Sequence, residues 1–187
     1  MFDRHALFGP HTRRGFLAAG AFSLLAMALG PTRALASTAE ARRLRMLNTH
    51  TDERIDVTYF EGGALVTDAL ADVDRFLRDF RTGDVHPIDP GALDIAWALA
   101  RVTDRPRGTF EIISGYRSPR TNAALHERSA GVATHSMHLL GKAIDLRLPG
   151  VPLRVLRDAA LELGRGGVGF YPSSDFVHVD SGRVRRW

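Results

Sequence analysis

The stretch Gly141-Lys-Ala-Ile-Asp-Leu-Arg-Leu148 decides the fold, because polar and apolar side chains alternate along it. In a β-strand, such alternation places the apolar side chains on one face and the remaining ones on the other. The apolar face would carry Ile144, Leu146 and Leu148. The other face would carry a carboxylate, Asp145, in the middle of the strand. Such a strand predicts a sheet whose apolar face is covered by helices.

The segments on either side repeat this pattern or change to a helical one. Alternation predicts a β-hairpin and three further strands, at residues 44–50, 54–60, 109–114, 168–171 and 176–180. Apolar residues at helical spacing predict four helices, at 67–80 with Thr67 as its cap, at 91–103, from Ser118-Pro119 onwards, and from Pro152 to about Gly164. The predicted fold is therefore an α+β domain with helices packed against a small, mainly antiparallel sheet.

Residues 1–36 predict a targeting segment. Arg13 and Arg14 precede an apolar run, and Ala34-Leu35-Ala36 has the small-x-small pattern that signal peptidases cleave. The paired arginines resemble a twin-arginine export signal. The apolar run of about 13 residues is shorter than the roughly 20 of a spanning helix, although an uncleaved anchor is the alternative. We predict a cleaved signal peptide, a periplasmic mature domain of residues 37–187, and no stable membrane insertion after cleavage.

The composition excludes several kinds of site. The 187 residues contain no cysteine, which excludes disulfides, thiolate metal ligands and a cysteine nucleophile. The formal net charge is +4, but cleavage after residue 36 would remove four arginines and one aspartate and leave +1. The basic balance belongs largely to the targeting segment, so we predict no nucleic-acid partner.

Two histidines make Asp145 part of a candidate metal site. His138 lies shortly before Asp145, and His178 lies in the predicted strand at residues 176–180. If that strand pairs with the Asp145 strand, Asp145 and His178 point into the same cleft. Two imidazoles and one carboxylate are a ligand set of catalytic zinc, which leaves a fourth position for water. On spacing alone, ordinary turn and core residues are the commoner explanation, and no His-Glu-x-x-His signature is present.

The surrounding motifs resemble the D-alanyl-D-alanine metallopeptidase superfamily, which shares the hedgehog-like fold. The pattern Ser136-x-His138-x-x-Gly141-x-Ala143-x-Asp145, followed by a late histidine, is similar to the zinc-binding pattern of that superfamily. Within it, the chain most resembles the MepK/YcbK-like murein endopeptidases. The similar segments are residues 77–83, 114–119, 134–145 and 167–187.

The resemblance implies that residues 37–187 are a zinc-dependent peptidoglycan endopeptidase that hydrolyses peptide cross-links in the cell wall. It implies Zn²⁺ bound by His138, Asp145 and His178, and the peptide stems of peptidoglycan as substrate. Two alternatives stay open, namely a D,D- or L,D-carboxypeptidase and a non-catalytic, zinc-containing peptidoglycan-binding module. Which cross-link is cleaved, the oligomeric state and any regulatory partner also stay open.

Further residues have expected roles beside the metal. The superfamily places an acidic residue shortly before the last histidine, so Asp175 is the predicted base, within reach of the attacking water. Asp180 is the other candidate base, or else it holds the second nitrogen of a ligating histidine. Arg117 resembles the arginine that binds a substrate carboxylate or polarises the scissile carbonyl, for which a permanently charged guanidinium is suited. His135 is expected to help stabilise the oxyanion.

Overall fold

The computed structural model describes residues 40–129 and 132–187, in which strands form one mixed sheet flanked by helices. The strands are β1 (Arg42–Asn48), β2 (Arg54–Glu61), β3 (Ala64–Leu65), β4 (Thr109–Ser114), β5 (Ala143–Arg147), β6 (Gly167–Tyr171), β7 (Phe176–Asp180) and β8 (Arg185–Arg186). The helices are α1 (Thr67–Phe76), α2 (Pro90–Val102), α3 (Pro119–Arg128) and α4 (Leu153–Leu163), and 3₁₀ turns occupy Met137–Leu140 and Pro172–Ser174. The predicted signal peptide, residues 1–36, lies outside the described residues. Within them, no helix has the length and apolar character needed to cross a membrane.

The strand order of the sheet is β3-β2-β1-β4-β5-β7-β6-β8. Neighbouring strands are antiparallel except for the parallel pairs β1–β4 and β6–β8. The predicted hairpin is confirmed as β1–β2, in which Met46 lies opposite Ile55. The predicted α+β class, with helices against a mainly antiparallel sheet, is therefore confirmed.

The core lies between the sheet and three of its helices. Helices α1, α2 and α4 contact the strands, and their buried side chains form one cluster with the apolar strand residues. Ile144 and Leu146 of β5 are fully buried in this cluster, and burial of each such side chain contributes about 1.5–3 kcal/mol. A one-residue slip of β5 would exchange its two faces, so this burial holds Asp145 on the opposite face.

Helix α1 differs from the prediction at both ends. It ends at Phe76 instead of residue 80, because the next residue, Leu77, turns away and its carbonyl accepts a hydrogen bond from the Tyr116 N–H (2.8 Å). The prediction of Thr67 as the cap was wrong, since Val66 occupies the N-cap position and no side chain caps the helix. A contact with a distant segment therefore overrides the local helical spacing after residue 76.

The start of α3 agrees with the prediction. Ser118 occupies the N-cap position, and its hydroxyl accepts a hydrogen bond from the Thr121 N–H (3.2 Å). Pro119 at the first helical position needs no donor there. This cap places Arg117, the residue before it, at the end of the loop that leaves β4.

Candidate metal centre

Residues from β5, β7 and the 3₁₀ turn at Met137–Leu140 meet in a cleft of about 460 Å³ on the face of the sheet opposite the core. The β5–β7 register places Asp145 directly opposite His178. Residues that face each other on antiparallel strands project to the same side of the sheet. The Asp145 Oδ1 and His178 Nδ1 atoms are accordingly 2.8 Å apart. The predicted pairing of these two strands is confirmed.

The 3₁₀ turn brings His138 over β5. Its N–H donates to the Ser136 hydroxyl (3.3 Å), and Gly141 ends the turn in the left-handed conformation (φ 64°). A Cβ at residue 141 would overlap the carbonyl oxygen of Pro87, so both the conformation and the space require glycine. The His138 Nε2 atom then lies 3.1 Å from Asp145 Oδ1.

Hydrogen bonds outside this trio determine which imidazole nitrogen is free. The Nδ1 atom of His138 lies 2.6 Å from the carbonyl oxygen of Gly115, which only accepts, so Nδ1 carries the proton and Nε2 has the free lone pair. The Nε2 atom of His178 lies 2.9 Å from Asp180 Oδ2, which leaves its Nδ1 free. Asp180 is fully buried, and Arg185 also donates to it (2.7 Å). Asp180 is therefore positioned to hold His178, a candidate metal ligand, which is the second of the two roles predicted for it.

The three inward-facing atoms fit a small divalent cation. His138 Nε2, Asp145 Oδ1 and His178 Nδ1 lie 2.8–3.1 Å from one another, and the trio meets the geometric requirement for a shared ion. Ligands of a tetrahedral zinc ion, at about 2.0–2.1 Å from it, are about 3.3 Å apart. Two imidazole nitrogens and one carboxylate oxygen at nearly this spacing are a donor set that suits zinc.

Two buried carboxylates, each also paired with an arginine, lie at the trio. Burial alone would raise the pKa of Asp145, but the imidazoles of His138 and His178 hold it well below its usual range. Burial lowers the pKa of His138, which keeps its imidazole neutral. Burial opposes a charge on His178 as well, but its hydrogen bonds to Asp145 and Asp180 raise its pKa. The two carboxylates thus stabilise positive charge on His178.

Arg117 lies beside the trio with an unused donor. Its side chain is almost fully buried, and its Nη2 atom is 3.3 Å from Asp145 Oδ2. Burial lowers the pKa of Arg117, and the neighbouring Asp145 offsets this only in part. Its Nε atom has no hydrogen-bond partner among the described residues. Because an unpaired buried donor costs about 1–3 kcal/mol, the guanidinium is available to an acceptor atom of a ligand.

Comparison with known proteins identifies the family. The family model described as peptidoglycan L,D-endopeptidase MepK matches residues 36–187. The chain belongs to this family. It is 42% identical over 177 residues to peptidoglycan L,D-endopeptidase MepK of Escherichia coli (strain K12), which covers 94% of this chain and 96% of that protein. The MepK of Shigella flexneri matches with the same identity and coverage. The probable MepK of Haemophilus influenzae is 40% identical over 154 residues, which cover 82% of this chain and 83% of that protein.

Membership of the MepK family confirms the predicted resemblance.

Two residues predicted to act beside the metal, Asp175 and His135, differ in their position relative to the cleft. Asp175 follows the 3₁₀ turn at Pro172–Ser174 in the left-handed conformation (φ 54°), and its side chain is 64% exposed. It accepts a hydrogen bond from Arg147 Nη1 (2.7 Å) and does not line the cleft. His135 is exposed and does line the cleft. Of these two residues, only His135 lines the cleft, while Asp175 pairs with Arg147 at an exposed position.

The sequence indicated Asp180 as a possible support for a ligating histidine, but it revealed neither the group that orients His138 nor the arginine that pairs with Asp180. The Gly115 carbonyl that orients His138 is a backbone atom, for which no sequence signal exists. The Arg185–Asp180 pair spans only five residues, so an acidic and a basic residue in the C-terminal segment were a weak signal for it. Both hydrogen bonds depend on how separate segments of the chain meet in the folded protein.

Proposed function

We propose that this chain is a zinc-dependent endopeptidase that hydrolyses the peptide cross-links of peptidoglycan. The observation that carries the proposal is the trio of facing donor atoms at the floor of an open cleft, with each imidazole held in the tautomer that metal binding needs. Family membership supports the reaction, because the relatives are named peptidoglycan L,D-endopeptidases.

Each residue of the proposed site has a distinct task. His138, Asp145 and His178 would bind the zinc ion. When bound, zinc supplies Lewis-acid activation of a water molecule near neutral pH. The Gly115 carbonyl and the Asp180 carboxylate keep the two imidazoles oriented towards the ion.

Arg117 and His135 would act on the substrate. The Arg117 guanidinium lies next to Asp145 with a free donor, so it can bind the oxygen on which negative charge develops, or a substrate carboxylate. His135 lines the cleft, and histidine is the side chain most often used for proton transfer near neutral pH. We therefore assign proton transfer to His135 and keep Asp175, the sequence-based candidate, as the alternative.

The proposal includes export. The paired arginines and the small-x-small pattern in residues 1–36 favour a twin-arginine signal peptide and a periplasmic site of action. Fusion of residues 1–36 to a reporter that is active only after export should yield periplasmic reporter activity. Replacement of both Arg13 and Arg14 by lysine should abolish it. Export that persists in this double variant, or no export of the unaltered fusion, would contradict the assignment.

Digestion of purified sacculi tests the reaction. The zinc-loaded protein should convert cross-linked muropeptide dimers into monomers, as measured by mass spectrometry, and a chelator should stop the conversion until zinc is restored. His138→Ala should be inactive. Release of single D-alanine residues with intact dimers would instead indicate a carboxypeptidase, and tight sacculus binding without any product would indicate a non-catalytic binding module. Either result would overturn the proposal.

A further inference from the structure

The segment Leu77-Arg-Asp-Phe-Arg-Thr-Gly83, to which the metal site assigns no role, brings a further arginine to the cleft. Arg81 lines the cleft together with Arg117 and with Arg185, which is already paired with Asp180. In the part of the chain that the structure describes, Arg81 forms no ion pair. Its guanidinium carbon lies 4.1 Å from the centroid of the Phe80 ring, and the His50 ring stacks on the same phenyl group at 4.1 Å. The Arg81 guanidinium therefore makes a cation–π contact with Phe80, but no carboxylate neutralises its charge.

Hydrogen bonds hold the loop of Arg81 against the loop that carries Arg117. The buried carboxylate of Asp79 accepts from the Arg81 N–H (3.0 Å) through Oδ1. Its Oδ2 atom accepts from the Ser118 N–H (2.9 Å) and the Ser118 hydroxyl (2.7 Å). One carboxylate thus joins the backbone of Arg81 to the residue that follows Arg117, and the two arginines reach the cleft from a shared rigid support.

The two guanidinium groups repel each other in this arrangement. Burial lowers the pKa of Arg117, and the charge of Arg81 lowers it further. Burial likewise lowers the pKa of His50, with Arg81 as a second cause. Such repulsion is unfavourable in the free protein and is relieved when an anion binds between the charges. A guanidinium fork matches the two oxygens of a carboxylate.

We propose that Arg81 binds a second carboxylate of the substrate, separate from the group held beside the zinc site by Arg117, and selects peptides with a free carboxylate over their amides. The catalytic consequence rests on the proposed endopeptidase function, whereas the carboxylate preference in binding does not. The contacts with Phe80 limit the motion of the guanidinium before binding, so less conformational entropy is lost when the carboxylate arrives.

Three variants and one pair of substrates test the proposal. The substrates are a synthetic cross-linked stem-peptide dimer with free carboxylates at the cross-linked residues and its carboxamide analogue. In the zinc-loaded protein, Arg81→Gln should raise KM for the carboxylate dimer about 10- to 100-fold, leave kcat nearly unchanged, and remove the preference over the carboxamide. Arg81→Lys should restore part of the preference. The control, Arg78→Gln, removes an arginine that pairs with Glu53 outside the cleft and should leave the preference intact.

A binding measurement separates the two claims. The stem tripeptide, as carboxylate and as carboxamide, is titrated by calorimetry into the zinc-loaded wild-type protein and Arg81→Gln. The wild type should prefer the carboxylate, and Arg81→Gln should not. No hydrolysis of either dimer by the wild type would refute the endopeptidase function, while this titration would still decide the role of Arg81. An Arg81→Gln variant that keeps the wild-type preference would overturn the inference.

Discussion

Asp180 illustrates how a buried side chain can orient a proposed metal ligand without being one itself. It accepts from His178 Nε2 and from Arg185, and these bonds overcome the effect of burial and hold the pKa of Asp180 below its usual range. The carboxylate is therefore ionised at neutral pH, where it favours the proton on Nε2. The free lone pair of His178 is then directed at the trio.

Replacement of Asp180 should weaken zinc binding. In Asp180→Ala the His178 ring loses its orienting acceptor, so zinc affinity should fall about 10- to 100-fold, measured by competition with a chromophoric chelator. Asp180→Asn keeps an acceptor oxygen and should lose less. Asp158→Ala, which removes an exposed aspartate paired with Arg157, is the matched control and should keep full affinity. Equal affinities in all variants would contradict the role of Asp180.

A second prediction at this scale separates the two candidate bases. His135→Asn should lower kcat on cross-linked muropeptides by about 10²- to 10⁴-fold with unchanged zinc content, because the group that accepts the proton is lost. Asp175→Asn should change kcat little, because the Asp175 carboxylate lies outside the cleft and pairs with Arg147. The reverse pattern would show that Asp175 moves into the cleft and serves as the base.

At the scale of the elements, α1 and α3 each begin next to a residue with a hydroxyl group, but only α3 is capped by a side chain. The Ser118 hydroxyl caps α3 and also donates to Asp79, whereas the Thr67 side chain makes no cap bond at α1. Ser118→Ala should therefore lower the free energy of unfolding by about 1–2 kcal/mol. Thr67→Ala should change it by less than about 0.5 kcal/mol. Urea unfolding measures both free energies. A loss in Ser118→Ala no larger than that in Thr67→Ala would show that the Ser118 hydrogen bonds do not stabilise the fold.

The end of α1 shows where local patterns stop being sufficient. Helical spacing of apolar residues continues to Phe80, yet the helix ends at Phe76 because the Leu77 carbonyl bonds to Tyr116. A Cβ on Gly115 would lie 2.5 Å from that same carbonyl oxygen, so the close approach depends on glycine. The length of α1 is thus set by a loop that comes 39 residues later in the sequence. The Ser118 N–H, which donates to the Asp79 carboxylate, joins the same two segments.

At the scale of the whole molecule, the metal ion would join segments that are far apart in the chain. The trio connects the 3₁₀ turn at Met137–Leu140 with β5 and β7. An ion that binds only the folded chain stabilises it, by about 4 kcal/mol at a free concentration 1,000 times Kd. Each kcal/mol corresponds to about 2–4 °C in Tm for a chain of this size.

Zinc removal should therefore lower Tm by about 8–16 °C under those conditions. Thermal unfolding with chelator and with excess zinc measures the difference. In His138→Ala the two curves should coincide, because one ligand of the trio is missing. A zinc-dependent shift of the same size in His138→Ala would place the binding site elsewhere.

The sequence by itself determined the faces of β5, the β1–β2 hairpin, the Ser118 cap and the family, because each depends on residue types within a short stretch of chain. The three candidate metal ligands could be named only through the resemblance of their motifs to those of the family, since spacing alone was a weak signal. Only the tertiary structure decided that Asp175 pairs with Arg147 outside the cleft, that the Gly115 carbonyl sets the tautomer of His138, and that Asp79 joins the loops of Arg81 and Arg117. These contacts join residues 23 to 39 positions apart, a separation over which no local pattern encodes distance.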